Sequence, residues 1–418
     1  MIVRKIKPNE LKRTNELFSI AFGFPDDNSK SPAEVYEETI NNPSSRDNIY
    51  WQERYAAFMD DNKTMMSFFV AKPYPVHFDG NHCKMTGIGG VATLPQYRKQ
   101  GGVRGCFEKA LADMYEDGYD FSYLYPFSTA FYRKFGYELC VEKALYKLKL
   151  SFIPQYNIDG YCELVEPYNL HLEDIKAIHK NWQEKYNMMV ENEDCDYLWL
   201  TKSNPVKEQI FTYIYKDKNH IPKGYLCFKC ENIPDGRTLS CSRFVYTDIE
   251  GFKGLLNLAR GFASDYMYIT FSLPTDQYIA ALLPEWSFGA GNYQRVIGSL
   301  GGMARVIHVQ NVLKKAQYKG NGKISIAISD PYIKENNQIF LVSFENGKAT
   351  SVSSTSRNDS SDSSLADITL HIADFSRLII GCLETDQIAF LENVIVNTDY
   401  ETLSKVFYKK PVMLTEYF

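Results

Sequence analysis

Residues 90–104 constrain this chain more than any other stretch: Gly-Val-Ala-Thr-Leu-Pro-Gln-Tyr-Arg-Lys-Gln-Gly-Gly-Val-Arg. They read as a β-strand, a basic glycine loop and the first turn of a helix. Pro95 ends the strand. Beyond the loop, Val103, Cys106, Phe107, Ala110, Leu111 and Met114 fall on one helical stripe, so the helix packs an apolar face onto a sheet. Arg98, Lys99 and Arg104 supply positive charge, and Gly101 and Gly102 let the backbone approach a ligand closely. The free N–H groups that open the helix point at an anion, and a pyrophosphate suits such a cradle.

The surrounding pattern is mixed. Residues 9–22 read as a helix, with Leu11, Phe18, Ala21 and Phe22 on one face and Gly23 and Pro25 as its stop. Ser67–Ala71, Cys83–Thr93 and Phe121–Tyr125 read as strands, and Thr129–Phe135 as a short helix ended by Gly136. The same order returns about 150 residues later, a separation far beyond solenoid periods. Its members are a strand at Cys241–Tyr246, a helix marked by Phe252, Leu255, Leu256 and Ala259, a strand at Tyr266–Phe271 and a short helix at Asp276–Leu283. There Asp248 and Glu250 stand where Arg98 and Lys99 stand in the first copy, and carboxylates repel a pyrophosphate. The second copy therefore reads as a degenerate domain that shapes a substrate cleft and carries no cofactor. Gly289-Ala-Gly291 marks a boundary. Met303–Leu313 follows as a strand or short helix, then strands at Lys323–Ile328 and Gln338–Val342, a turn at Asn346-Gly347 and a mobile serine-rich loop at Ser351–Ser364. A strand at Thr369–Ile372 and a helix from Phe375 to Ile380 come last.

Several classes are disfavoured. A net charge of −5 without a basic tail argues against nucleic-acid binding. No run approaches the ~18 apolar residues of a membrane span. Nine cysteines without a repeating spacing point to a reduced, cytoplasmic protein. Gly87-Ile-Gly-Gly-Val-Ala92 fits the dinucleotide fingerprint formally, yet it runs into strand residues instead of opening a helix. No P-loop is present. Cys227 and Cys230 lie in an alternating strand with no second pair, and His77, His82, His171, His179, His220, His308 and His371 show no ligand spacing, so no metal is expected. Asp26-Asp27 could line an amine pocket, a solvated turn being the plainer reading.

Arg98-Lys-Gln-Gly101-Gly-Val103 resembles the Arg/Gln-x-x-Gly-x-Gly/Ala motif of the GCN5-related N-acetyltransferase (GNAT) superfamily, with Val103 where a small residue is usual and hence a slightly wider loop. Phe131-Tyr132-Arg-Lys-Phe-Gly136-Tyr137 resembles its Tyr-x-x-x-Gly-Phe/Tyr signature. The chain as a whole resembles the enhanced intracellular survival (Eis) family, carried further by Met303-Ala-Arg-Val-Ile307, Asp330-Pro331, Asn336-Asn337 and the aromatic last residue, Phe418. The resemblance implies an α+β and α/β chain: a GNAT acetyltransferase domain over 1–148, a degenerate GNAT-like domain over 149–290 and an α+β sterol-carrier-protein-like domain over 291–418. It implies acetyl-coenzyme A as donor, no metal, and primary-amine acceptors of the aminoglycoside or polyamine kind, acetylated by direct transfer in a ternary complex. It also implies a homo-oligomer, hexamers among the forms, with no nucleic-acid or membrane partner.

Acetyl transfer to an amine needs a polarised thioester, a protonated leaving thiolate, a neutral amine and an in-line arrangement. Val91, Ala92 and Thr93 form a strand edge that pairs with pantetheine amides, the Val91 N–H facing the thioester oxygen. Arg98, Lys99, Gln100, Gly101, Gly102, Val103 and Arg104 hold the pyrophosphate. By resemblance, Phe127 and Ser128 flank the pantetheine. Tyr132 is the expected general acid, with Tyr137 as runner-up. The resemblance makes the C-terminal carboxylate of Phe418 the general base. Two other readings stand beside this one: a small-molecule or lipid-binding protein with a decayed transferase domain, and an acyltransferase acting on protein lysines.

Overall fold

Short apolar strands build three mixed β-sheets, each faced by helices, in a computed structural model that describes residues 1–26, 28–201, 204–283, 291–298, 301–356 and 366–418. The chain opens with β1 (Ile2–Lys5), α1 (Leu11–Phe22), α2 (Pro32–Ile40), α3 (Asp47–Tyr50), β2 (Arg54–Phe58), β3 (Met65–Phe78) and β4 (Asn81–Thr93). It continues through α4 (Gly102–Glu116), β5 (Phe121–Leu124), α5 (Thr129–Arg133) and β6 (Glu138–Leu139). The middle holds β7 (Lys143–Lys149), β8 (Tyr161–Leu164), α6 (Leu172–Lys185), α7 (Asp194–Thr201), α8 (Pro205–Glu208), β9 (Ile210–Lys216), β10 (Pro222–Ile233), β11 (Gly236–Tyr246), α9 (Ile249–Arg260), β12 (Tyr268–Pro274) and β13 (Tyr293–Gly298). Last come β14 (Met303–Val306), α10 (Val309–Lys315), β15 (Gly322–Ser329), β16 (Gln338–Glu345), β17 (Lys348–Ser356), β18 (Ile368–His371), α11 (Ile372–Ile380), β19 (Ile395–Val396) and α12 (Tyr400–Val406).

Two compact units result. One comprises Met1–Val141, Gly301–Lys410 and Glu416–Phe418, the other Glu142–Leu300 and Pro411–Thr415. The first unit holds two sheets, ordered β1-β2-β3-β4-β5-β14-β6 and β17-β16-β15-β18-β19. The second holds the sheet β13-β7-β12-β11-β10-β9-β8. Pairing is parallel at β4–β5, β11–β12 and β15–β18 and antiparallel elsewhere. The expected boundary after residue 148 falls near the end of β7, whose pairing is entirely with β12 and β13. β14, beyond the expected boundary at 290, pairs with β5 and β6. Alternation along a strand specifies which face is apolar and leaves the partner strand open.

Two local expectations change. Asp276–Leu283 is no helix apart from a 3₁₀ turn at Ala280–Leu282. Its first residues are held by tertiary bonds instead: the Tyr186 hydroxyl donates to Asp276 (3.1 Å), and the Gln277 amide donates to the Tyr186 hydroxyl (2.7 Å). Ser351–Ser356 is the end of β17, paired with β16, and not part of a loop. The rest of that serine-rich stretch, 357–364, lies outside the described residues, as do Asp27 and Gly289.

The helical stripe of α4 packs on the first sheet, where Cys106, Phe107, Ala110 and Leu111 are fully buried beside Ala57, Phe69 and Tyr137. Burial of each large side chain of this kind contributes roughly 1.5–3 kcal/mol. The same unit is tied by a buried ion pair. Arg305 on β14 places Nη2 at 2.7 and 2.6 Å from the two carboxylate oxygens of Asp330, both side chains being 0% exposed. Its Nη1 donates to the Phe135 carbonyl just past α5. Asp330 also accepts the Tyr332 N–H (3.0 Å) and the Asn336 amide (2.9 Å). Burial pushes the Asp330 carboxyl up, but Arg305 and these donors outweigh it and hold it below the ordinary aspartate range.

Arg305→Met should therefore lower unfolding free energy by about 3–5 kcal/mol in urea titrations, because Asp330 is left buried and unpaired. A depressed native value contributes stability that is full above the unfolded value of about 3.9 and is lost as pH falls through the native one. The stability gap between wild type and Asp330→Asn should thus be constant near neutrality and narrow below about pH 4.

Candidate active site

The site begins where β4 loses a partner. β4 pairs with β5 from Met85–Phe121 to Ile88–Leu124 and no further. On its other side the register with β3 slips: Phe68 faces Ala92 and Val70 faces Gly89, so Phe69 opposes both Gly90 and Val91. This is a β-bulge, with Gly90 at φ +60°. A bulge bends its strand and raises local twist. Among the described residues, 89–93 consequently run without a strand partner on the β5 side, an edge of backbone donors and acceptors.

Beyond that edge lies a cavity of about 760 Å³. Val91, Ala92 and Thr93 line one side, and Arg98, Lys99, Gly101, Gly102, Val103 and Arg104 another. Gly101 caps α4 at φ +86° and no side chain caps the helix, so its first N–H groups have no protein acceptor from a cap. Gly102 keeps α4 close to the sheet, since a Cβ there would sit 2.5 Å from the Ser67 hydroxyl oxygen. Lys99 holds a left-handed φ of +66°, a conformation in which a non-glycine residue stores strain. Arg98, Lys99, Arg104 and Lys134 all line the cavity, and none has a carboxylate partner among the described residues. A bare helix start beside four unbalanced cations fits a pyrophosphate.

The other expected residues divide. Phe127 lines the cavity with Phe131 and Phe135 and is 72% exposed. Gln100 is not among the lining residues; its amide donates back to the Gln96 carbonyl (3.1 Å). Ser128 caps α5 by accepting the Phe131 N–H (3.3 Å) and likewise does not line the cavity. Tyr132 is buried and does not itself line the cavity; its ring lies 5.3 Å from Phe127 and 5.1 Å from Phe131, which do. Its hydroxyl has no hydrogen-bond partner among the described residues. Burial, with Tyr137 nearby, keeps that phenol well above its usual value and protonated. The Tyr137 hydroxyl is committed to Ser122 at 2.7 Å inside the core. Asp26 is exposed and lines neither cavity described here.

A second cavity, of about 300 Å³, opens on the other stretch of β4, lined by Gly87, Gly89 and Gly90. Phe418 occupies its edge. Its ring packs edge-on to Tyr74 (5.2 Å), while Tyr417 stacks on Tyr125 (4.1 Å). A Cβ at Gly87 would collide with the Phe418 ring, and one at Gly89 would lie 2.5 Å from its main-chain oxygen. The glycines that mimic a dinucleotide fingerprint therefore clear a seat for Phe418. Thr14, Asn15 and Phe18 of α1 also line this cavity, with Asp47, Arg54 and Lys72. None of the last three was singled out by sequence reasoning, nor was Lys134, although it sat inside a recognised motif.

The second unit repeats the scaffold with a different helix start. β11 pairs with β12 only over Thr238–Ser240, and its register with β10 slips at Ser242. Helix α9 is capped by Asp248, whose carboxylate accepts the Gly251 N–H (2.9 Å) and pairs with Lys223 (2.8 Å). An anion is thus built into the position that is bare in α4. All nine cysteines are free thiols, and no metal-binding group of His, Cys, Asp or Glu occurs among the described residues. Among those residues no helix is long and apolar enough to cross a membrane.

Residues 2–140 and 194–306 each match an acetyltransferase (GNAT) domain family, and residues 309–415 match the sterol carrier protein domain. No curated protein matches the chain. Among solved structures, a conserved protein of unknown function from Enterococcus faecalis V583, described as a probable N-acyltransferase, is 21% identical with a TM-score of 0.81, covering 100% of this chain and 99% of that one. A GCN5-related N-acetyltransferase from Anabaena variabilis is 17% identical (TM-score 0.80), and Eis1 from Mycobacterium abscessus is 15% identical (0.77), each with 100% coverage of both chains. The chain thus carries two acetyltransferase (GNAT) domains followed by a sterol carrier protein domain, in a fold like that of Eis1.

Proposed function

We propose that the N-terminal domain transfers an acetyl group from acetyl-coenzyme A to a primary amine, directly, in a ternary complex. One observation carries the reading: the cation-lined cavity and the glycine-floored cavity share β4 and adjoin at the Gly90–Val91 bulge. Bound acetyl-coenzyme A would supply the activated acetyl group. Arg98, Lys99, Arg104 and Lys134, with the α4 N–H groups, would hold its phosphates. The free edge at Val91–Thr93 would pair with the pantetheine amides, and the Val91 N–H would stabilise charge on the thioester oxygen. Tyr132 would donate its proton to the leaving sulfur. The Phe418 carboxylate, which has no hydrogen bond or ion pair among the described residues, would take the proton of the amine. The division into domains at 1–148, 149–290 and 291–418 belongs to the same proposal, as does a second copy without cofactor. Family likeness extends it to a cytoplasmic homo-oligomer, hexamers among the forms it takes.

Coenzyme A release with a panel of amines tests the activity, and calorimetric binding of acetyl-coenzyme A to the folded protein tests its foundation. Absence of that binding would end the proposal. One added residue after Phe418 moves the carboxylate by about 3.5 Å and should lower kcat at least tenfold. Gly89→Ala should do the same, because its Cβ would lie 2.5 Å from the Phe418 main-chain oxygen and force the terminus to shift. Tyr132→Phe should lower kcat by about a hundredfold and leave the acetyl-coenzyme A Kd within a few-fold. A loss confined to Kd would remove Tyr132 from the acid role.

A further inference from the structure

The smaller cavity carries information about the acceptor that the family likeness does not. Its charged groups number four: Asp47, Arg54, Lys72 and the Phe418 carboxylate. Asp47 serves both cations, with Oδ2 at 3.1 Å from Arg54 and Oδ1 at 2.7 Å from Lys72. Burial raises the Asp47 carboxyl, but Arg54 and Lys72 overcome this and hold it below the ordinary aspartate range, so it is already neutralised. The cluster keeps one net positive charge. Arg54 spends a further donor on the Trp51 carbonyl (2.5 Å). Lys72 carries three donors, and Asp47 is its sole acidic partner among the described residues.

Register places these charges. Arg54, Val70 and Gly89 are cross-strand partners in one row, and Lys72 pairs with Gly87 in the next row on the same face. With strands about 4.8 Å apart, the Arg54 end lies roughly 10 Å from the Gly89 end, where the Phe418 carboxyl rests. Between them Val70, Phe68 and Phe18 make the wall apolar, while Lys72 rises from the same middle strand as Val70 and carries its ammonium to Asp47, beside Arg54. The cavity thus has a negative end, an apolar middle and a positive end. Its volume of about 300 Å³ is at the lower limit for small-molecule sites.

Resting on the acetyltransferase reading above, we propose that the preferred acceptor is an aminocarboxylate zwitterion: a primary amine beside Phe418, a short carbon chain, and a carboxylate on Lys72 and Arg54. A polyamine would set its second ammonium against these two cations, with no unneutralised carboxylate there to receive it. Selection against the polycation comes from that repulsion as much as from the new ion pair.

The test compares kcat/KM, by coenzyme A release, for aminocarboxylates of two to six carbons with the 1-aminoalkane and the α,ω-diamine of matching length. The best aminocarboxylate should exceed its matched diamine at least tenfold. Lys72→Met should shrink this preference at least tenfold through KM, Lys72→Arg should retain it, and Lys72→Glu should turn it toward the diamine. Equal or better turnover of the diamine, a preference unchanged in Lys72→Met, or no aminocarboxylate turnover by protein that binds acetyl-coenzyme A would each overturn the inference alone. Failure to bind acetyl-coenzyme A in calorimetry would overturn the acetyltransferase reading, and this one with it.

Discussion

Everything at the site follows from a strand that outlives its partner. β4 pairs with β5 as far as Ile88 and then continues with β3 as its one strand partner among the described residues, turned by the bulge opposite Phe69. A strand with unmet donors and acceptors is ordinarily a liability, since it invites pairing with other chains. Here α4 begins across the opening and the residues on both sides of the bulge line cavities. The backbone left unpaired is the surface that would hold an extended ligand. Hydrogen-bonding capacity on that side is withheld from the sheet.

The surrounding unit secures that opening from far along the chain. β14 pairs with β5, and its Arg305 grips the carbonyl that follows α5, the helix carrying Tyr132. The Asp330 loop in turn holds Arg305. A two-point clamp of this kind fixes a short helix that five residues could not stabilise by themselves. It also accounts for the Met303–Ile307, Asp330-Pro331 and Asn336-Asn337 pattern as one device.

Local signals in the sequence were sufficient for the cradle. Glycine and charge at 98–104, and the apolar stripe of α4, report their structure within a few residues of themselves, and the loop leading into a helix could be read directly. The same is true of the Phe131–Tyr137 segment. What the sequence did not disclose depends on partners distant in the chain. Nothing near Met303 reveals that it pairs with Leu124. Gly87 and Gly89 looked like a nucleotide fingerprint because their reason for being glycine lies at residue 418. Asp47, Arg54 and Lys72 come from a helix and two strands, each unremarkable alone, and only their convergence gives one carboxylate two cations. Gln100 lies inside the glycine-loop motif and Ser128 just ahead of the Phe131–Tyr137 one, and their side chains serve the loop and the helix cap.

The two helix starts, at Gly101 and at Asp248, express opposite solutions on a shared scaffold. In α9 the aspartate satisfies the dipole permanently, so that copy is electrostatically self-sufficient. In α4 the equivalent demand is left open, and four like charges crowd around it. Such a helix start leaves its dipole and the cations around it to be balanced from outside the fold, so any anion that settles there adds its binding energy to the stability of the domain.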